Sequence, residues 1–264
     1  MTRTAIRIVA AVGFILMVAP LFAVIVNAFN ANIILSGWGG FTTRWFGSVV
    51  RDSDVRSATF RSLEIAAAVT AISTVVGTLA VAFSAYVPRP VRALTDGLTI
   101  ARVMVPEIIM SAGLIIVLPE LGIRFGVEAV IIGQSVWAIA FFIAIAGARR
   151  AGFDRRLEDA ARDLGASPLR VLRTIVIPDL MPGIVAGALL TFTFSFDDVV
   201  TTVFLSGPGS GTLPTFILAS IRHGITPSIN AIGVMVMLAT ITMLALATIA
   251  SGSLIPGRER RTGA

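Results

Sequence analysis

The sequence of 264 residues has no cysteine and no lysine, only one histidine and one tyrosine, and few charges. Without cysteine there is no disulfide framework, no thiolate zinc site and no cysteine nucleophile. Charged residues make up 14% of the chain, whereas a soluble domain carries about 25%. With 56% hydrophobic residues and a mean hydropathy of +0.91, this deficit excludes an ordinary soluble globule, a disordered chain and a fibrous repeat.

Long apolar runs occupy most of the chain. A helix that crosses a hydrocarbon core of about 30 Å needs roughly 20 mostly apolar residues, and within lipid the backbone must satisfy its own hydrogen bonds. We therefore predict an all-α membrane protein with six transmembrane helices in a single transmembrane domain, 1–264. The predicted spans are residues 8–29, 63–87, 98–121, 127–148, 181–205 and 229–255.

Two of these spans have unusual sequence features. The first follows Arg3 and Arg7 and exceeds the 7–15 apolar residues of a signal peptide, so we expect it to stay uncleaved. The third carries Arg102 and Pro106 and is therefore the least regular. A proline inside a span frees a backbone carbonyl, and we expect a kink at Pro106.

The arginines predict an orientation. If the N-terminus is cytoplasmic, fifteen of the 21 arginines lie inside and six outside. By the positive-inside rule, both termini are then cytoplasmic. We therefore attribute the net charge of +6 to the arginines that set the membrane topology and that contact anionic lipid. No basic stripe interleaved with aromatics points to nucleic acid. The six arginines predicted to lie outside the cytoplasm are Arg44, Arg51, Arg56, Arg61, Arg124 and Arg222.

Most of the polar information lies in the loop 149–179, which holds seven arginines and five acidic residues. The positions of Leu157, Ala160, Ala161 and Leu164 predict a short helix with a small apolar face. Its charged opposite face carries Glu158, Asp159, Arg162 and Asp163. From periodicity alone, this hairpin either lies on the membrane, packs on its own bundle or projects as a knob that another protein contacts.

The ends of the two helices in this loop are predicted by their sequence. Gly165 ends the first helix. Ser167 caps a second helix that has Pro168 at its first position, where the missing N–H costs nothing. Pro178 is expected to end that second helix.

The same loop resembles a known signature. Asp159-Ala160-Ala161, three residues, Gly165, nine residues and then Ile175-x-Ile177-Pro178 is similar to the EAA motif of bacterial ABC importer permeases. Asp159 stands where the family usually has Glu, and Ile177 where it usually has Leu. The resemblance implies a type I importer fold and a coupling helix that seats in a cytoplasmic ATPase. The coupling residues it implies are Asp159, Ala160, Ala161, Arg162, Gly165, Ala166, Ser167 and Pro168.

A second stretch narrows the resemblance. Residues 195–200, SFDDVV, followed by Gly207-Pro208 and Thr212-Leu213-Pro214, look like the spermidine/putrescine type of these permeases. Acidic side chains inside a span are costly and tend to face a water-filled path or a partner. We therefore expect at least one of Asp197 and Asp198, together with Glu107, to stabilise a passing ammonium cation. The alternative is that the aspartates lie at the outer surface or contact a neighbouring chain.

The resemblance also implies partners and a location. They are a second, related permease that forms a hetero-dimer with this chain, two cytoplasmic ATPase subunits, an external substrate-binding protein and a polyamine, all at the bacterial inner membrane. The chain has no G-x-x-x-x-G-K-[ST] loop, so ATP and Mg are expected on the ATPase and no cofactor here. With His223 as the only histidine, no metal site or catalytic residue is expected.

Other functions stay open from the sequence. A permease of the same family for another small solute, such as an opine or a phosphonate, would share these motifs. A self-sufficient secondary carrier would show inverted repeats and broken midplane helices, and we find no convincing repeat. An intramembrane enzyme lacks a His/Glu metal pair or a Ser/His/Asp set.

Overall fold

The computed structural model describes residues 3–253, and within that range the secondary structure is helical apart from one isolated bridge between Asn30 and Phe41. Twelve α-helices and one π-helical turn are found in the described part of the chain. They are α1 (Arg3–Ala28), α2 (Arg44–Arg51), α3 (Ser53–Phe83), α4 (Arg89–Met104), α5 (Glu107–Glu120), α6 (Val127–Ala151), α7 (Arg156–Asp163), α8 (Pro168–Val171), the π-turn (Leu172–Val176), α9 (Ile177–Phe196), α10 (Val200–Leu205), α11 (Leu213–Arg222) and α12 (Pro227–Ser253).

Four of the helical segments among the described residues are long and apolar enough to cross a membrane. A fifth span results if the bent pair α4–α5 is one membrane element. The predicted sixth span lies within α12 (Pro227–Ser253) as far as residue 253, and the segment Pro227–Thr242 of this helix is apolar. Residues 254 and 255 of that prediction, and Arg258, Arg260 and Arg261, lie outside the described residues. The four long segments are Arg7–Ala28, Ser53–Phe83, Val127–Ala151 and Pro168–Phe196.

The third predicted span, 98–121, is not a single continuous helix. It divides at Val105–Pro106 into α4 and α5, and their axes are bent by 107°. Val105 is extended, with φ −74° and ψ 124°, because a residue before proline is driven out of the helical region. The expected kink at Pro106 is therefore present, and it is a sharp reversal of direction within the segment.

The fifth predicted span, 181–205, also differs from the structure. The helix begins upstream, at Pro168, and α9 ends at Phe196. Asp197 and Asp198 lie in the break before the short helix α10. They are therefore not helix-interior positions separated by about 100°, as a continuous helix would require.

Pro178 does not end its helix, contrary to the prediction from the sequence. The chain passes from α8 through the π-turn Leu172–Val176 directly into α9, where Pro178 occupies the first turn. A proline clashes with the carbonyl four residues earlier in a regular α-helix. A π-turn shifts that register, and the helix continues across the proline.

The chain forms two compact units. The first contains residues 1–59 and 215–243. In its loop 30–42, the buried Asn30 side chain accepts from the N–H groups of Asn32 and Gly39 and donates to the Gly37 carbonyl, at 2.8–2.9 Å. The apolar window of α1 has no buried residues, so a lipid or a partner must cover this helix.

The second unit contains residues 60–214 and 244–264 and is centred on the packing of α6 against α9. Phe142 of α6 is fully buried. Its ring fills the space above Gly77 of α3 and Gly187 of α9, where an added Cβ would lie 2.3 Å and 2.9 Å from ring carbons. Glycine is therefore needed for these three helices to approach one another.

Candidate functional site

The three acidic residues expected along a substrate path lie around one cavity. Glu107, Asp197 and Asp198 all line a space of about 530 Å³ in the second unit. The two chain breaks create it, because Glu107 begins α5 after the bend and the aspartates follow the end of α9. A span predicted as a straight helix would not have placed these carboxylates together.

The two adjacent aspartates have different surroundings. Asp198 is buried, and its Oδ1 accepts from the N–H and the hydroxyl of Thr202, both at 2.9 Å. From the position before the N-cap residue Val199, it therefore caps an N–H group in the first turn of α10. Asp197 is exposed to the cavity, and no hydrogen bond to its carboxylate is found among the described residues. Asp197 is the carboxylate that is free for a ligand.

Glu107 completes the acidic side of the cavity. Its Oε1 accepts a hydrogen bond from the hydroxyl of Thr201 at 3.0 Å. Its carboxyl group is also close enough to that of Asp198 for the two to interact electrostatically. Two close carboxylates repel each other, and a cation between or beside them relieves that repulsion. The nearby Arg102 donates to the Val105 carbonyl at 3.3 Å and also lines the cavity.

A buried polar network fixes the break between α9 and α10. Gln134 of α6 donates to the Thr202 hydroxyl at 3.3 Å and accepts from Ser195. Since Thr202 also donates to Asp198, this chain connects the carboxylate to a rigid span. Buried networks with satisfied partners favour one geometry, and this one fixes the direction of the Asp198 side chain.

Three aromatic side chains also line the cavity. Trp137, Phe141 and Phe194 line it, with ring centroids 5.7–6.3 Å apart in edge-on or tilted contacts. An aromatic face attracts a cation by about 0.5–2 kcal/mol. The cavity thus combines carboxylates with aromatic rings, which suits an organic ammonium group better than an anion.

The residues of the EAA-like motif lie in the same unit, in α7, in α8 and in the turn between them. Gly165 has φ +82°, and the N–H groups of Gly165 and Ala166 donate to the carbonyls of Arg162 and Ala161 at 2.8 Å and 3.0 Å. This pair of bonds is a Schellman motif. As predicted, Ser167 then caps α8 by accepting from the Arg170 N–H at 3.4 Å.

The two faces of α7 do not lie as the sequence predicts. Glu158, assigned to the charged outer face, has a side chain only 5% exposed. Leu157 and Leu164, assigned to the apolar face, are exposed, Leu164 by 89%. Because Asp159, Ala160, Gly165, Ser167 and Pro168 are also exposed, this face does not pack on its own unit. Of the other coupling residues, Arg162 is exposed, and Ala161 and Ala166 are half-buried.

Glu158 turns inward because cations and a hydroxyl surround it. Arg150, at the end of α6, donates to its Oε1 at 2.6 Å, and the Tyr86 hydroxyl, just beyond α3, donates to its Oε2. Arg162 lies 3.8 Å from Oε2 and its guanidinium stacks on the Tyr86 ring. We call these four residues the Glu158 anchor, since they connect α7 to the ends of two spans.

The protonation of the anchor is set by these contacts. Burial alone pushes the pKa of Glu158 upward, but the hydrogen bonds from Tyr86 and Arg150 outweigh it and hold this pKa below its ordinary value of 4.5. Burial and the neighbouring carboxylate raise the pKa of the Tyr86 hydroxyl above 10.0. At neutral pH, Glu158 is therefore a carboxylate and Tyr86 a donor.

Several of these residues were not predicted from the sequence. Trp137, Phe141 and Phe194 gave no periodic signal that separates a cavity wall from ordinary packing. Gln134 does carry a signal in the sequence, because an amide inside an apolar span requires hydrogen-bond partners. The Glu158 anchor joins residues 72 positions apart in the sequence, and nothing local predicts that pairing.

The fold, the cavity and the projecting loop define a class of protein that comparisons with known proteins identify. Residues 78–260 match the family described as "Binding-protein-dependent transport system inner membrane component". The chain belongs to this family and is a membrane-spanning permease.

The chain is also similar to individual members. It is 33% identical over 240 residues to the putrescine transport system permease protein PotI of Escherichia coli strain K12, covering 87% of this chain and 84% of that one. It is 33% identical over 226 residues to the spermidine/putrescine permease PotC of the same strain, covering 85% of each. The corresponding PotC of Haemophilus influenzae is 31% identical, covering 86% of this chain and 88% of that one.

Solved structures share the fold. A bacterial ABC transporter that imports the acidic polysaccharide alginate superposes with a TM-score of 0.79 over 95% of this chain and 94% of that chain, at 12% identity. The inward-facing MetNI methionine ABC transporter superposes with a TM-score of 0.61 over 77% and 99%, at 20% identity. These similarities establish an importer permease fold.

Proposed function

We propose that this chain is the permease subunit of an ATP-driven polyamine importer. It pairs with a second, related permease, and the two enclose a path of alternating access. A binding protein delivers the substrate from outside, and two cytoplasmic ATPases bind ATP and Mg and drive the cycle. In this proposal the chain has six spans, both termini are cytoplasmic, and it lies in the bacterial inner membrane.

The observation that carries the substrate proposal is the cavity that is lined by Asp197, Asp198 and Glu107 and by three aromatic rings. A polyamine carries several ammonium groups separated by methylene chains. Ammonium groups suit carboxylates, and methylene groups suit aromatic rings. The polyamine permeases that are 31–33% identical support the same substrate class.

Coupling is proposed to occur through the exposed face of α7 and α8. An ATPase groove that covers Leu164 and the small residues Ala160 and Gly165 would bury the apolar surface that this chain leaves uncovered. The Glu158 anchor then transmits the ATPase movement to α3 and α6 as a rigid-body shift. Asp159 and Arg162 lie beside that contact and add charge complementarity.

Substitution of the two aspartates tests the assignment. We expect Asp197→Asn to weaken putrescine or spermidine uptake about tenfold, because one charge-assisted contact to the substrate is lost. Asp198→Asn keeps an oxygen that caps α10 and is expected to have a smaller effect, whereas Asp198→Ala also loses the cap. Glu120→Gln, at the exposed end of α5, is the matched control.

The measurement is uptake of labelled putrescine and spermidine into vesicles that hold the complete complex, compared with a neutral and an anionic solute. Unchanged polyamine uptake in both Asp197→Asn and Asp198→Asn would remove these residues from the path. Uptake of only the neutral or the anionic solute would contradict a polyamine substrate and favour another small molecule.

A further inference from the structure

The second unit contains another cavity, of about 750 Å³, whose lining reaches Arg155, just before α7. The C-terminal parts of α3 and α6 and residues 92–100 of α4 line it. Its charged wall contains Arg92, Arg150 and Arg155, with Asp96 as the one acidic residue that lines it. Its apolar wall includes Phe83, Val87 and Ile143.

The charges in this cavity do not cancel. Arg92 lies 3.8 Å from Asp96, and Arg150 lies 2.6 Å from Glu158 of the anchor. Arg155 brings a further positive charge that no described carboxylate pairs with. The cavity therefore has a net positive charge.

The buried Arg150 also has an unused donor. Its side chain is only 7% exposed, and its Nη1 has no hydrogen-bond acceptor among the described residues. An unsatisfied buried donor of a charged group is costly. Arg150 lines the cavity together with Arg92 and Arg155, and a phosphate offers several oxygens to such an arginine cluster.

The position of the cavity selects the source of that phosphate. α3 ends at Phe83 and α6 at Ala151, so the arginines lie where the spans leave the hydrocarbon. Ala80 and Phe83 of α3 and Ile143 of α6 line the same cavity from within the two spans. A ligand that fits both parts is amphipathic, with an anionic head and a hydrocarbon tail.

We propose that this cavity binds an anionic phospholipid, with its phosphate against Arg92, Arg150 and Arg155 and an acyl chain along Ala80, Phe83 and Ile143. Bound there, the lipid contacts Arg150 directly and so supports the Glu158 anchor behind it. The proposal concerns binding alone and holds whatever solute the permease carries.

Two variants test the site without disturbing the anchor. Arg155→Ala removes a charge from the cavity. Gly147→Leu fills the cavity, because Gly147 lines it and an added Cβ there meets no atom within 4 Å. The matched controls are Arg156→Ala, one residue away and not part of the cavity wall, and Gly97→Leu, whose Cβ is equally unobstructed outside it.

The full-length chain, purified with its co-purifying subunits in a neutral detergent, is titrated with phosphatidylglycerol or phosphatidylcholine, and bound lipid is counted by native mass spectrometry. We expect phosphatidylglycerol to be retained in preference to phosphatidylcholine. Arg155→Ala and Gly147→Leu are each expected to weaken that retention about fivefold, whereas both controls match the wild type.

Three results would overturn the proposal. They are equal retention of the two lipids, wild-type retention in both Arg155→Ala and Gly147→Leu, and displacement of phosphatidylglycerol by millimolar inorganic phosphate. The last would identify free phosphate as the occupant. A loss of polyamine uptake in the complex with lipid binding intact would bear on the transport function alone.

Discussion

At the scale of the residue, Glu158 contributes more to the structure than its place in a charged helix suggests. Its carboxylate faces Arg150, and the two side chains are 5% and 7% exposed. Removing one partner of a buried ion pair leaves the other charge uncompensated. We expect Glu158→Gln to lower the free energy of unfolding by about 3 kcal/mol, measured by thermal unfolding in detergent. Glu120→Gln is the control, and equal stability of the two variants would contradict the anchor.

The same pair gives a pH dependence with a defined sign. Because the folded-state pKa of Glu158 is below its ordinary value of 4.5, its stabilising effect is fully present above that pH. It is lost as the pH falls through the lower folded value. Wild-type stability is therefore expected to decline below pH 4.5 more steeply than that of Glu158→Gln. Parallel curves for the two proteins would show that Glu158 is not responsible.

Gly77 is a second residue whose role is set by one contact. An added Cβ would lie 2.3 Å from Cδ1 of Phe142, and this ring is fully buried and has no room to move. We expect Gly77→Ala to destabilise the chain by about 1–3 kcal/mol, in the same unfolding measurement. Gly147→Ala, with open space at its Cβ, should not destabilise. A neutral Gly77→Ala would mean that α3 and α6 separate easily.

At the scale of the element, the loop between α7 and α8 depends on Gly165. Its φ of +82° costs a β-branched residue roughly 1–2 kcal/mol, although its Cβ would meet no atom. Gly165→Val is therefore expected to reorient α8 relative to α7 and to lower substrate-stimulated ATPase activity in the complex, with membrane insertion intact. Gly152→Ala, at φ −90°, is the matched control. Full substrate stimulation in Gly165→Val would separate this turn from coupling.

The ends of the short helices follow from local sequence patterns, whereas the longer helices depend on their surroundings. Ser167, Pro168 and Gly165 were predicted correctly because caps and left-handed glycines are local. The prediction that Pro178 ends its helix was wrong. The π-turn upstream shifts the hydrogen-bond register, so that the helix accommodates the missing N–H and the proline ring. The bend at Pro106 was expected, but its size of 107° depends on how α4 and α5 pack rather than on proline itself.

At the scale of the whole molecule, the chain presents apolar surface along α1 and on the coupling face, and it has no phosphate-binding loop. We expect vesicles that contain this chain without its ATPase partners to show no polyamine uptake, and the complete complex to require ATP. The measurement is labelled spermidine uptake with ATP and with a non-hydrolysable analogue. ATP-independent uptake by the chain alone would contradict the importer and support a secondary carrier.

The sequence by itself determined that this is a helical membrane protein, because runs of about 20 apolar residues have one stable solution in lipid. It also determined the EAA-like loop, because the spacing of Asp159, Gly165 and Pro178 is local and specific. Only the tertiary structure decided that Glu107, Asp197 and Asp198 surround one cavity, that Asp198 caps α10 and leaves Asp197 free, and that Glu158 points inward. Those outcomes depend on two helix breaks and on contacts between residues that are distant in the sequence. No local sequence pattern specifies the path of the chain between such residues.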